Sequence, residues 1–85
     1  MFEFAVYEQL QSIKNGIDKA ISKNTTKSMY EQIKKETELI GWKTKTSSKK
    51  KMSIIIYDIL MENKFPEDKI DGLTNKIIEL AERNL

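Results

Sequence analysis

Cysteine and histidine are both missing from this chain, and glycine and proline are scarce, at three and one residues in 85. Without cysteine there is no disulfide framework, no thiolate zinc site and no thiol nucleophile. Without histidine the commonest neutral-pH base and metal ligand is gone. Gly16, Gly41 and Gly72 are too widely scattered to build a phosphate-cradling loop. Arginine is almost absent as well: Arg83 stands beside fourteen lysines, which disfavours bidentate reading of base edges. The longest apolar run, Met52 to Tyr57, is interrupted by Ser53 and falls far short of the ~20 residues of a membrane span. Residues 1–15 carry acids and no basic n-region, so no secretory signal is expected. The absences leave a cytoplasmic domain with no membrane contact, no cofactor site and no catalytic set of its own.

What is present fits one small globular unit. Eighty-five residues leave no room for a second core, and 39% hydrophobic residues are enough to build one. The net charge of +2 conceals an uneven distribution. Residues 1–33 balance, residues 34–51 hold seven lysines against Glu36 and Glu38, and residues 52–85 carry an excess of three acids. The basic middle suits phosphate or an acidic partner, and it equally suits a solvated loop leading into a helix.

Apolar spacing predicts helices almost throughout. Phe2, Val6, Leu10, Ile13, Ile17 and Ile21 fall on one helical stripe, with Gly16 as its weak point. Asn24-Thr25-Thr26 reads as punctuation, and Ser28 with Glu31 has capping-box spacing, so a second helix is expected over residues 28–40. Its weaker stripe is Met29, Ile33, Thr37 and Ile40, and Gly41 is a natural left-handed terminator. Trp42 is expected to fold back over that helix end, with an exposed docking anchor as the other reading. A third helix over residues 48–63 carries the strongest stripe, Met52, Ile55, Ile56, Ile59 and Leu60, widened by Ile54 and Tyr57. Lys49, Lys50 and Lys51 then crowd its first turn, where the helix dipole disfavours cations, a local rule broken without evident structural gain. Pro66 opens a last helix with Glu67 and Asp68 beside it, and Ile70, Leu73, Ile77, Leu80 and Ala81 complete the core, with Gly72 as a soft spot. The expected fold is all-α, a small bundle of about four helices forming a single domain over residues 1–85.

Little of this pattern carries reaction chemistry. Glu62-Asn63-Lys64 and Glu67-Asp68-Lys69, with Asp58 nearby, have the spacing of a metal-nuclease triplet, yet both fall at helix ends, where such charges serve the helix. A helix-turn-helix reader built from residues 28–40 and 48–63 is opposed by Asp58 and Glu62 on the outward face of the third helix, and by a linker longer than the usual three to four residues. A small basic helical DNA-binding protein remains the alternative to a protein-docking unit.

From Trp42 onward the chain resembles the C-terminal helical region of the R (HsdR-type) subunit of type I restriction-modification enzymes. The resemblance rests on Ile40-Gly41-Trp42, the polar basic stretch Lys43 to Lys51, the apolar helix Met52 to Leu60, the aromatic-proline pair Phe65-Pro66 and the late Ala81-Glu82. Upstream, Ala5-Val6-Tyr7-Glu8-Gln9-Leu10 is similar to the segment that precedes these in the family. The chain departs from the pattern at Gly41 and Thr46, where the family has acids, and in using lysine where arginine is common.

The resemblance implies that residues 1–85 are a C-terminal fragment of a larger subunit. In that family the parent is an ATP-dependent DNA translocase and endonuclease that cleaves foreign DNA with ATP and Mg, and its nuclease and motor motifs lie upstream. The helical region is implied to help dock the R subunit on the methyltransferase and specificity subunits, with DNA reached through the parent enzyme. Carried onto this sequence, Trp42, Lys45, Lys49, Lys50, Phe65 and Pro66 are the expected surface or ordering residues of that docking.

Overall fold

A computed structural model describes residues 2–13 and 18–85. Four helices follow one another: α1 (Phe2–Gln11), α2 (Lys19–Thr37), α3 (Thr46–Glu62) and α4 (Glu67–Asn84), with a 3-10 turn, Trp42–Thr44, between α2 and α3. No strand occurs among the described residues. Each helix packs against its neighbour in sequence and α4 returns to α1, so the bundle closes as a ring around one core.

On α1 the steps of four between Phe2, Val6 and Leu10 bury all three. The Phe2 ring meets that of Tyr30 on α2 at 5.9 Å between centroids. The stripe does not continue as expected. Ser12 closes α1, its hydroxyl donating to the Gln9 carbonyl at 2.6 Å. The expected break at Gly16, with Ile17, lies outside the described residues. Ile21 belongs to a new helix with its own phase and is exposed.

The start of α2 corrects the sequence reading. The helix begins at Lys19 and runs straight through Asn24-Thr25-Thr26. Its cap is Asp18, whose carboxylate accepts from the Ala20 amide at 2.6 Å, a group as effective as the serine expected at position 28. Ser28 instead sits inside the helix and accepts from Gln32 at 3.2 Å. Buried Ser22, Thr25, Thr26, Met29 and Ile33 keep helical spacing, so the inward face is partly hydroxylic and its periodicity does not show in hydrophobicity alone. Gln11 donates to Ser22 at 2.6 Å, tying α1 to α2.

Helix α3 also starts earlier than expected, with Lys45 as N-cap and no side-chain cap bond. Ser48, the expected start of the helix, is buried within its first turn, which places Lys49 to Lys51 at and beyond the end of that turn. Met52, Ile56, Ile59 and Leu60 are buried as the stripe predicts, while Ile55 is only half-buried and Ile54 is exposed. The end of α3 is a Schellman closure. Phe65 N–H reaches back to the Leu60 carbonyl at 3.1 Å and Lys64 N–H to that of Met61 at 3.0 Å. Lys64 takes the left-handed position at φ 61°, where glycine is usual.

Pro66 lies one residue before the position expected for it, at the N-cap of α4, with its carbonyl accepting from Lys69 N–H at 2.9 Å. Glu67 and Asp68 follow in the first turn and Arg83 lies in the last, all favourable to the dipole. The expected core residues Ile70, Leu73, Ile77, Leu80 and Ala81 are all buried, joined by Thr74. Gly72 does not interrupt the helix. It faces solvent, and a Cβ there would meet nothing within 4 Å.

Candidate functional site

The basic stretch singled out by the sequence becomes the corner between α2 and α3. The second helix stops at Thr37, three residues before the expected end, where Glu38 N–H closes on the Lys34 carbonyl at 3.2 Å. Gly41 then adopts φ 75°, the left-handed conformation expected of it, and opens the 3-10 turn. Thr44 returns both its amide (3.1 Å) and its hydroxyl (3.0 Å) to the Gly41 carbonyl. Lys45 N–H bonds the Trp42 carbonyl at 3.1 Å, and α3 follows at once.

Trp42 anchors this corner. Its indole is buried in the common core, as the fold-back reading expected, with Lys43 Nζ at 5.9 Å from the ring centroid. Since the chain has left the helix before Leu39, that residue and Ile40 cannot continue the α2 stripe. Leu39 is 46% exposed and Ile40 95%, and the two stand out from a turn fixed at its base by a buried tryptophan. Sequence reasoning assigned Ile40 to the core. The missed signal is two apolar residues placed directly before a left-handed glycine, where a helix has already ended.

The lysines around the corner divide into two groups. Lys49 pairs with Glu82 on α4 at 2.7 Å, and Lys51 lies 3.8 Å from Glu36 on α2. Half-buried Glu36 has a second carboxylate oxygen with no hydrogen-bond partner, so the Lys51 charge offsets part of its burial. These two lysines therefore have the structural role that the sequence did not disclose. Lys43, Lys45 and Lys50 are exposed and form no ion pair with any described residue.

The six residues expected to serve docking do not form one cluster. Trp42, Lys45, Lys49 and Lys50 gather at the corner. Phe65 and Pro66 sit beyond the far end of α3, about 20 Å of helix away. Phe65 is buried and Pro66 half-buried, so this pair, like Trp42, orders the chain from within. Lys45 and Lys50 present free charge, and Lys49 is engaged by Glu82.

Two shallow clefted regions also mark the surface of the described residues. One, of about 500 Å3, lies between α3 and α4 beside Ile54, Tyr57, Asp58 and Asp71. The other runs along the α1–α2 seam past Phe4 and Tyr7. The acids of the two Glu-x-Lys triplets remain at helix ends, and no group of three potential metal-ligating side chains gathers among the described residues. No helix among them is long and apolar enough to cross a membrane.

A closed ring of four helices with a projecting, lysine-framed corner defines a small all-α module. The chain belongs to the family described as type I restriction enzyme HindI endonuclease subunit-like, C-terminal, whose model matches residues 1–85. The resemblance that begins at Trp42 thus extends over the whole chain. No curated protein and no solved structure matches it.

Proposed function

We propose that this domain is the docking end of a type I restriction endonuclease subunit, helping to seat that subunit on the methyltransferase and specificity core. The parent's ATP- and Mg-dependent translocation and DNA cleavage belong to domains outside residues 1–85. One observation carries the reading: Leu39 and Ile40 project from a turn anchored by buried Trp42, with Lys43, Lys45 and Lys50 near it in the chain, exposed and in no ion pair with a described residue. An apolar knob with a basic rim fits an apolar socket with an acidic rim. Apolar anchors at the centre of a contact supply most of its affinity, and rim charges steer the encounter.

The test is association of the intact subunit with the purified core, for the native sequence, Ile40→Asp, and Lys45→Glu with Lys50→Glu. Ile40→Asp is expected to weaken association at least about tenfold, and the double reversal to slow association and reduce its salt dependence. All three sites are exposed, so helicity should be unchanged. Undiminished association of both variants contradicts the docking role. Duplex DNA binding by the isolated chain, falling steeply with salt, would instead favour the DNA-binding alternative.

A further inference from the structure

Charge runs along α3 against its dipole. Lys45 stands at its N-cap with Lys50 just past the first turn, and Asp58 and Glu62 stand toward its C-terminus. Cations are disfavoured at a helix start and anions at its end, and none of these four forms an ion pair with a described residue. Both ends also carry exposed apolar side chains. Leu39 and Ile40 project at the basic end, and Ile54, 56% exposed, lies one turn before Asp58.

There the α3–α4 seam opens into its cleft of about 500 Å3, where Ile54 and the half-buried Tyr57 ring supply an apolar wall. Asp58 from α3 and Asp71 from α4 line this same cleft, and both are exposed and in no ion pair with a described residue. The remaining lining, Ser53, Thr74 and Asn75, is uncharged, so the two carboxylates alone set the sign of the cleft. The corner has the opposite sign and the same apolar character. Leu39 and Ile40 are exposed there, with Lys43, Lys45 and Lys50 exposed near them in the chain. A chain cannot place its own corner in its own cleft, because roughly 14–20 Å of continuous α-helix separate Lys45 from Ile54 and Asp58.

We propose that this cleft receives the corner of a second copy of the chain, with Ile40 against Ile54 and Tyr57 and the corner lysines along Asp58 and Asp71. The contact joins two different patches and is therefore heterologous. A pair keeps one cleft and one corner free, so association continues head to tail unless the rotation closes a ring. Opposite charges then meet at the two ends where α3 opposes its own dipole, a compensation that no described residue supplies within one chain. One apolar knob with exposed charges beside it makes a weak contact, dependent on concentration and weakened by salt. The proposal does not rest on docking to the methyltransferase and specificity core. Where the corner serves that docking too, core and second copy exclude each other, and binding to the core releases the second copy.

The test is sedimentation of the 85-residue chain at concentrations up to about 1 mM, the range of weak specific contacts. The native chain should gain average mass with concentration, and less so in high salt. Ile40→Asp removes the knob, and Asp58→Lys with Asp71→Lys removes the cleft; all three sites are exposed, so helicity should be unchanged. Each variant alone should associate at least about tenfold more weakly than the native chain. Their equimolar mixture should form a mixed dimer and nothing larger, because one chain supplies the intact cleft and the other the intact knob. Loss of fold in either variant cannot produce that gain. A native chain that stays monomeric throughout overturns the proposal. So does native-like association of either variant alone, which marks a contact between other patches, and so does a mixture that stays monomeric. In the intact subunit, Ile40→Asp should weaken association with the core whether or not copies self-associate, and Asp58→Lys with Asp71→Lys should leave it unchanged. Failure of the docking reading and failure of this one are thereby told apart.

Discussion

The two halves of this bundle are built by different means. Helices α3 and α4 meet through aliphatic stripes, close on each other with a Schellman turn, and join Lys49 to Glu82 at 2.7 Å. In α4 the acids stand at the N-terminus and Arg83 at the C-terminus, so local preferences and packing agree. The α1–α2 half is less self-consistent. Its buried face includes the unpaired hydroxyls of Thr25 and Thr26, against Thr74 alone on α4, the first turn of α2 holds Lys19 and no acid, and Phe4, Leu39 and Ile40 face solvent, as Ile54 and Met61 do on α3. Features that cost stability without compensation inside the chain point to compensation from outside it. The α3–α4 half is the frame, although Lys64 at φ 61°, the uncapped start of α3 and exposed Ile54 depart from the local rules there as well, and the corner that joins the halves, with Lys45 and Lys50 at the start of α3, offers the surface.

The frame should be the more sensitive to cavities. Ile56→Ala, at a fully buried site of α3, should cost about 2–5 kcal/mol, read as a shift in the midpoint of urea unfolding. Ile40→Asp should leave that midpoint within about 0.5 kcal/mol of the native value, despite replacing an isoleucine, because the residue is 95% exposed. A comparable loss in both variants would erase the distinction between frame and surface.

The hydroxyls of α2 sharpen the contrast from the other side. Thr25→Val replaces an unpaired buried oxygen by a methyl group of similar size and should stabilise by about 1 kcal/mol. Destabilisation of that size would mean that the hydroxyl has a partner in solution.

Two glycines give opposed outcomes. Gly41→Ala places a Cβ at φ 75° and should cost about 1 kcal/mol, although space is available, the nearest atom being Thr44 Oγ1 at 3.9 Å. Gly72→Ala in the open middle of α4 should gain about 0.5–1 kcal/mol. Thermal melts of the two variants should therefore move in opposite directions.

The smallest expected effect concerns the ion pair between α3 and α4. Both side chains are about one-third exposed, so Glu82→Gln should cost roughly 0.2–1 kcal/mol and less in high salt. A stability difference that does not shrink with added salt would assign the loss to packing of the side-chain stems.

The same division explains what could be read in advance. The C-terminal half was legible because Met52, Ile56, Ile59 and Leu60, and then Ile70, Leu73, Ile77 and Leu80, announce their buried faces by apolar periodicity alone. The start of α2 was not, because Ser22, Thr25 and Thr26 resemble loop residues and become a helix face only through packing against α1. Ile40 was misplaced for a related reason. Hydrophobicity says that a residue favours burial, while the termination of α2 at Thr37 decides that it is not buried. Of the docking residues, the basic corner was visible as charge. Which lysines are free and which are paired depends on Glu36 and Glu82, distant in sequence, and no spacing rule reaches them.

The most direct test of the division is a lysine-reactivity footprint of the domain within the intact subunit, acetylated before and after association with the methyltransferase–specificity core. Protection is expected at Lys43, Lys45 and Lys50, with Lys64 and Lys69 on the frame reacting equally in both states. Protection confined to Lys64 and Lys69, with the corner lysines as reactive as before, would contradict the assignment of docking to the α2–α3 corner.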